Sequence, residues 1–264
     1  MLQLPDICRF VMEVCMKTGA YIKDRQKVLT ELEIQHKGEH DIVTVVDKKA
    51  EEILVDSLRV ILPEAGFITE EKTVQQIDKE YMWVIDPIDG TSNFAHGIPL
   101  YSISIALQKN KETILGVVYE INHKECFYAI KDGGAFMNGQ PIKVSIINDL
   151  HNSMLATGFP YAKFEKMDNY LACMKLLLPK CRSIRRMGSA AVDLCYVACG
   201  RFEGFFEYGL NIWDIAAGVL ILQEAGGIIT DFKGNEHFVF EKELIASNKT
   251  IQADLLDTIK STFY

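Results

Sequence analysis

Between Tyr81 and Met137 the chain passes through five apolar stretches in quick succession, and this constrains its fold more than any other feature. They are Tyr81–Ile85, Tyr101–Leu107, Ile114–Glu120, Cys126–Ile130 and Ala135–Met137. Turns such as Lys109-Asn110-Lys111 and Lys131-Asp132-Gly133-Gly134 are too short to hold a helix, so the pattern predicts an antiparallel sheet. The second half alternates instead. Strands at Met154–Thr157, Ser183–Arg186 and Gly204–Glu207 precede helices at Met167–Leu178, Ser189–Cys199 and Trp213–Ala225. A strand at Ile228–Asp231 and a last helix from Gln252 to Thr262 follow. Such alternation favours layered α/β packing with a second, mixed sheet.

The N-terminal part reads as helix, loop, strand and helix. Ile7, Phe10, Val11, Val14, Thr18, Tyr21 and Ile22 recur at helical spacing between Pro5 and Lys27. A polar stretch from Gln35 to Asp41, with Gly38, predicts a mobile loop. Ile42–Val46 then reads as a short strand, and Asp47 as the N-cap of a helix that continues to Ile61. No repeat or long linker is present, and Asn148–Asn152 is the weakest point. We therefore expect two lobes, 1–147 and 148–264, in one compact unit.

The bulk numbers exclude several classes. With 264 residues, 48% of them hydrophobic, the chain can bury a core without staples. A net charge of −8 argues against broad binding to nucleic acid or to anionic membranes, but not against an anionic ligand held through a cation. The cysteines at 8, 15, 126, 173, 181, 195 and 199 are odd in number and include no Cys-x-x-Cys pair. They predict buried free thiols in a reduced, cytoplasmic setting. The N-terminus shows no basic region followed by an apolar run, and no stretch approaches the roughly 18 apolar residues of a membrane span.

The segment Asp86-Pro87-Ile88-Asp89-Gly90-Thr91 closes the first apolar strand. Two carboxylates converging there would each disfavour ionisation of the other, and a hard divalent cation such as Mg2+ removes that penalty. The Ile88 carbonyl could add a neutral oxygen, Gly90 permits close backbone approach, and a helix starting at Thr91 would present N–H groups to a phosphate. The same residues also suit an ordinary Asp-Pro-x-Asp-Gly turn. Glu70-Glu71 after Phe67-Ile68 reads alone as a solvated pair. Asp214, at the head of an apolar helix, reads as an N-cap, as Asp47 does. Glu207 ends a phenylalanine-rich strand, where a lone charge is unexpected.

Taken together and in order, these segments resemble the inositol monophosphatase family. The resemblance rests on Gly66-Phe67-Ile68-Thr69-Glu70-Glu71 and on Trp83-Val84-Ile85-Asp86-Pro87-Ile88-Asp89-Gly90-Thr91-Ser92-Asn93-Phe94. It rests also on Trp213-Asp214-Ile215-Ala216-Ala217-Gly218 running to Glu224-Ala225-Gly226-Gly227, and on Asp41-Ile42-Val43-Thr44 through Asp47. It covers nearly the whole chain. It implies an αβαβα sandwich of the sugar-phosphatase type, a homodimer, two to three Mg2+ ions per site, lithium sensitivity, and hydrolysis of a small phosphorylated metabolite by activated water. By position it implies Glu70, Asp86 and the Ile88 carbonyl as ligands of one metal, and Asp86, Asp89 and Asp214 as ligands of a second. Thr91 and Asp47 would orient and deprotonate the water, with Glu70 beside them in the catalytic set. Gly90 and Thr91 would cradle the phosphate, and Glu207, Ala190 and Asp214 would meet the alcohol. Lys37 lies near the family's loop lysine.

The resemblance leaves the alcohol open. Ser92 stands where threonine is common, and His96-Gly97-Ile98-Pro99 lacks an arginine that some animal enzymes carry. Thr157-Gly158-Phe159-Pro160-Tyr161 resembles the bacterial form of the segment facing the sugar. Inositol monophosphate is the first expectation. Fructose 1,6-bisphosphate or a 3′-phosphoadenosine nucleotide is the second, and a regulatory protein of the transcription or RNA machinery on the same fold is a third. Other signals carry less. His36-Lys37-Gly38-Glu39-His40 is not a zinc motif, and Gly134 to Gly139 has P-loop spacing but lacks the Lys and Ser/Thr. Gly188-Ser189-Ala190 lacks the elbow of a serine hydrolase. Met12, Met16, Met167 and Met174 read as core. The cluster Arg182, Arg185, Arg186 suits either a solvated strand edge or a contact to substrate or partner subunit.

Overall fold

The N-terminal periodicity forms α1 (Leu4–Gln26), which buries Ile7, Val11, Val14, Cys15, Thr18 and Ile22 along one stripe. The computed structural model describes residues 3–29, 34–36, 42–160, 164–236 and 238–264. After α1 come β1 (Ile34–His36), β2 (Ile42–Thr44), α2 (Val45–Ile61), β3 (Gly66–Thr69), β4 (Tyr81–Asp89) and α3 (Thr91–Ala95). Then follow β5 (Ser102–Lys109), β6 (Glu112–Glu120), β7 (Glu125–Ile130), β8 (Ala135–Met137) and β9 (Gln140–Pro141). The remainder is β10 (Met154–Thr157), α4 (Met167–Leu177), β11 (Ser183–Arg185), α5 (Ala190–Ala198), β12 (Gly204–Tyr208), α6 (Ile212–Glu224), β13 (Ile228–Thr230), α7 (Phe238–Glu241), β14 (Glu243–Ser247) and α8 (Gln252–Phe263).

These elements stack in five layers. A seven-stranded sheet, β3-β4-β5-β6-β7-β8-β9, carries α1 and α2 on one face. Its other face packs on α5 and α6, which a five-stranded sheet, β11-β10-β12-β14-β13, covers in turn, with α4 and α8 packed together outside it. The expected αβαβα sandwich is therefore present. Burial explains the sequence pattern. In β4, Trp83 and Ile85 point to α1 and α2 while Val84 points to α5 and α6, so the strand is apolar without alternation. Helix α5 is buried all round, as a helix between two sheets must be.

Several expectations need correction. The first sheet is mixed, because β3 runs parallel to β4 at its edge; the other pairings are antiparallel. Gly66 opens β3, a strand the sequence reading did not mark. Gln35 and His36 belong to β1, which pairs with β2, whereas Lys37 to Asp41 and Tyr161 lie outside the described residues. The strand at Ile42 ends at Thr44, which is itself the N-cap of α2. Asp47 is the third helical residue and reaches back to the cap. Asp214 repeats this at α6, where Asn211 is the N-cap. β14 and α7 escaped the reading, being short and bounded by charges. Met16 and Met167 are exposed, while Met12 and Met174 are partly buried against the core.

All seven cysteines are free, with Cys199 alone half-buried and the rest buried. Among the described residues no helix is long and apolar enough to cross a membrane. Phe205 of β12 is fully buried between the sheets. Phe205→Ala is expected to lower the unfolding free energy by about 3–5 kcal/mol. Urea denaturation measures this, and a loss below about 1 kcal/mol would contradict the packing described.

Candidate active site

A break in pairing brings Asp86 and Asp89 together. Three residues apart on a regular strand, they would point to opposite faces. The register shifts between them, Asp86 facing Ser104 and Asp89 facing Ser102, so Pro87 and Ile88 of β4 together oppose the single residue Ile103 of β5. The extra residue reverses the parity and turns both carboxylates to the same side. Pro87 lies inside this bulge, where its missing N–H costs no ladder bond. Asp86 Oδ1 accepts the Ile88 N–H at 3.0 Å, so the turn expected of an Asp-Pro segment is present as well.

The two serines of β5 opposite these acids tie in the second half of the chain. Ser104 Oγ donates to the Trp213 carbonyl at 3.2 Å, which anchors the start of α6 and with it Asp214. Ser102 Oγ and Ser189 Oγ share a hydrogen bond at 3.3 Å, which anchors the start of α5. Ser189 Oγ and the Ala191 N–H each donate to Asp89 Oδ2 at 2.7 Å. The Asp214 carboxylate accepts the Asn211 N–H at 2.6 Å, which fixes it in the first turn of α6.

On the α2 side, Asp47 is fully buried. Its Oδ2 accepts the Thr44 N–H at 2.8 Å and the Thr44 hydroxyl at 2.5 Å, and its Oδ1 accepts from Thr91 Oγ1 at 3.0 Å. The Thr91 hydroxyl also lies 3.0 Å from the Ile88 carbonyl oxygen. Gly90 precedes it with φ at 102°, and a Cβ there would come within 3.0 Å of the Gly188 carbonyl oxygen. Only glycine suits both the left-handed backbone and that approach. One turn beyond Asp47, Glu51 accepts from the Glu71 N–H at 2.7 Å and from the Thr73 N–H and hydroxyl at 2.9 and 2.7 Å. It thereby holds the loop that carries Glu70.

Glu70, Asp86, Ile88, Asp89, Gly90, Thr91, Ala190, Glu207 and Asp214 all line one cleft of about 350 Å³; Asp47 stands behind Thr91. Burial dominates the electrostatics. It pushes the Asp86 carboxyl well above the usual range, helped by the charges of Glu70, Asp89 and Asp214. Asp214 is likewise raised, by burial and then by Asp89. Asp89 rises only to about 6, because Ser189, the N–H groups of Ala190 and Ala191, and the Arg186 charge favour its ionised form. Glu207 keeps an edge on the cleft, yet its carboxyl lies among protein atoms, and burial raises it to about 8 against the pull of Arg186.

Among the described residues, no three His, Cys, Asp or Glu side chains are already drawn into a closed metal-binding cluster. The acids instead sit around the cleft with separate partners. Their donor chemistry still fits a hard divalent cation: Glu70, Asp86, the Ile88 carbonyl, Asp89 and Asp214 offer only oxygen, and the acids raise one another's proton affinity. Reading the sequence missed Ser102, Ser104, Ser189 and Glu51, whose only signal is a small polar or acidic residue in an otherwise apolar run. It also missed Asp193, fully buried in α5 with one carboxylate oxygen unpartnered.

An acid whose pKa is higher in the folded chain binds extra protons there, so the fold loses stability as pH rises. For Glu207 this loss begins above its ordinary value of 4.5 and is complete beyond about 8. In EDTA, the Tm of the wild type is expected to fall between pH 5 and pH 8, and Glu207→Gln to lessen the fall. Calorimetric scans at the two pH values check this; equal falls in both proteins would contradict it.

The chain matches the model of the inositol monophosphatase family over residues 4–262. It is 40% identical over 245 residues to the Nus factor SuhB of Pasteurella multocida, covering 92% of each chain. It is 37% identical over 251 residues to the inositol-1-monophosphatase of Mesorhizobium japonicum, covering 95% of this chain and 94% of that one. In three dimensions it resembles the crystal structure of the extragenic suppressor protein suhB from Bartonella henselae. The TM-score is 0.92 and the identity 36%, over 97% of this chain and 98% of that chain.

Proposed function

The chain belongs to the inositol monophosphatase family, and on that footing we propose that it is a magnesium-dependent phosphatase of small phosphate monoesters, inositol monophosphate first among them. The observation that carries this reading is the bulge that turns Asp86 and Asp89 to one side, next to the hydrogen bond from Thr91 to Asp47. Glu70, Asp86, the Ile88 carbonyl, Asp89 and Asp214 would hold the two to three Mg2+ ions. When bound, the ions supply the positive charge that phosphate oxygens require and make water acidic enough to ionise near neutral pH.

The chain's own residues do the rest. Thr91 Oγ1, hydrogen-bonded to Asp47, orients the attacking water and passes its proton to Asp47, which two further contacts from Thr44 keep in place. Gly90 and Thr91 offer N–H groups that no helical carbonyl takes, and these face the phosphate. The leaving alcohol lies toward Ala190, Glu207 and Asp214. Fructose 1,6-bisphosphate and 3′-phosphoadenosine nucleotides are the alternative esters. A cytoplasmic homodimer, the lobes 1–147 and 148–264, and lithium sensitivity belong to the same proposal.

Asp89→Asn is expected to abolish Mg2+-dependent phosphate release, below about 1% of wild type, with an unchanged circular dichroism spectrum; full turnover would remove the metal assignment. Thr91→Ala is expected to lower kcat by about 10²-fold or more while Mg2+ still binds. Steady-state kinetics measure this, and an unchanged kcat would take Thr91 out of the mechanism.

Relatives named Nus factor SuhB favour keeping a second reading, a regulatory protein of the transcription or RNA machinery on the same fold. Capture of RNA polymerase subunits by both wild type and Asp89→Asn would support it. Capture by neither would leave the phosphatase alone.

A further inference from the structure

The basic cluster Arg182, Arg185, Arg186 is divided by the fold. Arg182 donates to Asn152 at 3.3 Å on the surface, and Arg185 donates to the Ile184 carbonyl of its own strand at 3.2 Å. Arg186 is also exposed, but it alone of the three faces the cleft, and among the described residues it is the one cation that lines it. Its guanidinium lies 5.3 Å from the centre of the Phe159 ring. Its charge favours the ionised forms of Asp89, Asp193 and Glu207, so it sits among all three carboxyls.

Its position is tied to the carboxylate loop. The Asn93 amide, just after Thr91, donates to the Leu100 carbonyl at 2.7 Å and to the Met187 carbonyl at 2.8 Å. The backbone bearing Arg186 is thereby held against the segment that bears Asp89 and Thr91. Across the cleft, a Cβ on Gly158 would fall 2.0–2.4 Å from the Glu207 carboxylate atoms. Glycine at 158 is what lets Glu207 lie beside Phe159. The alcohol end of the cleft thus carries a flat fork of N–H donors next to the Glu207 carboxyl, which accepts and, while protonated, also donates.

Charge narrows what this pair can bind. One guanidinium among three carboxyls has no surplus positive charge for a second phosphate. Neighbouring hydroxyls, each both donor and acceptor, suit a guanidinium beside the Glu207 carboxyl in either protonation state, and the planar fork loses little freedom in binding them. Resting on the phosphatase reading above, we propose that Arg186 is a specificity-determining residue for the alcohol: braced on Phe159 and next to Glu207, it donates to hydroxyls of a singly phosphorylated polyol.

The test compares two esters with the full-length, Mg2+-loaded protein: inositol 1-phosphate, and p-nitrophenyl phosphate, whose alcohol carries no further hydroxyl. In Arg186→Ala, the ratio of kcat/KM for inositol 1-phosphate to that for p-nitrophenyl phosphate is expected to fall about tenfold or more, mostly through KM. Arg186→Lys keeps the charge without the fork and is expected to recover only part of the ratio; it also reads the effect if the alanine variant does not fold. A ratio within about threefold of wild type in the folded variants overturns the assignment. Wild type that hydrolyses only p-nitrophenyl phosphate leaves the phosphatase standing and removes the polyol role of Arg186. Wild type that hydrolyses neither ester removes the phosphatase reading itself, and this inference with it.

Discussion

Like charges withdrawn from water at the end of β4 are the constraint on which the rest of the structure depends. Burial makes the Asp86 and Asp214 carboxyls hold protons far above the usual range, and neighbouring acids add to it: Glu70, Asp89 and Asp214 raise Asp86, and Asp89 and Glu70 raise Asp214. Asp89 is the least affected of the three, because Ser189 and the first N–H groups of α5 point at it. A fold does not place such groups together for stability, since each buried carboxyl is costly when ionised. A bound cation would give the arrangement a reason.

The five layers can be understood as the means of holding that arrangement. The large sheet supplies Asp86 and Asp89, and its bulge aims them. The two helices between the sheets begin where the acids are, and Ser102 and Ser104 fasten those beginnings to β5. The second sheet supplies Glu207 from β12, beside the loop that follows β10. Helix α2 contributes from the opposite side, with Asp47 behind Thr91 and Glu51 under the Glu70 loop. Each half of the chain leaves the cleft incomplete without the other.

Much of this was legible in the sequence, for identifiable reasons. Apolar runs and short turns announced the large sheet, because its strands are buried on both faces. Glu70, Asp86, Asp89 and Asp214 were legible as a set only through the family resemblance, because each acid alone also suits a turn, a solvated pair or a helix cap. Features set by tertiary context escaped. Asp47 and Asp214 look like N-caps but are third residues of their helices, since Thr44 and Asn211 take the cap and the acids fold back to them. The parallel edge strand β3 was hidden because a run of four residues, Gly66–Thr69, is too short to reveal its direction or its partner. That Arg186 faces the cleft while Arg182 and Arg185 do not goes with its packing on Phe159, a tertiary contact that no local pattern records.

Mutual repulsion relieved by a cation makes a claim that can be measured without any substrate. A cation that binds ionised carboxylates must displace the protons that burial makes them hold. The decisive measurement is titration calorimetry of Mg2+ into the protein at pH 6, near the value to which Asp89 is raised, in two buffers of different ionisation enthalpy. Binding accompanied by proton release, seen as a buffer-dependent heat, is the predicted result. Buffer-independent heat, or no binding at all, would contradict it.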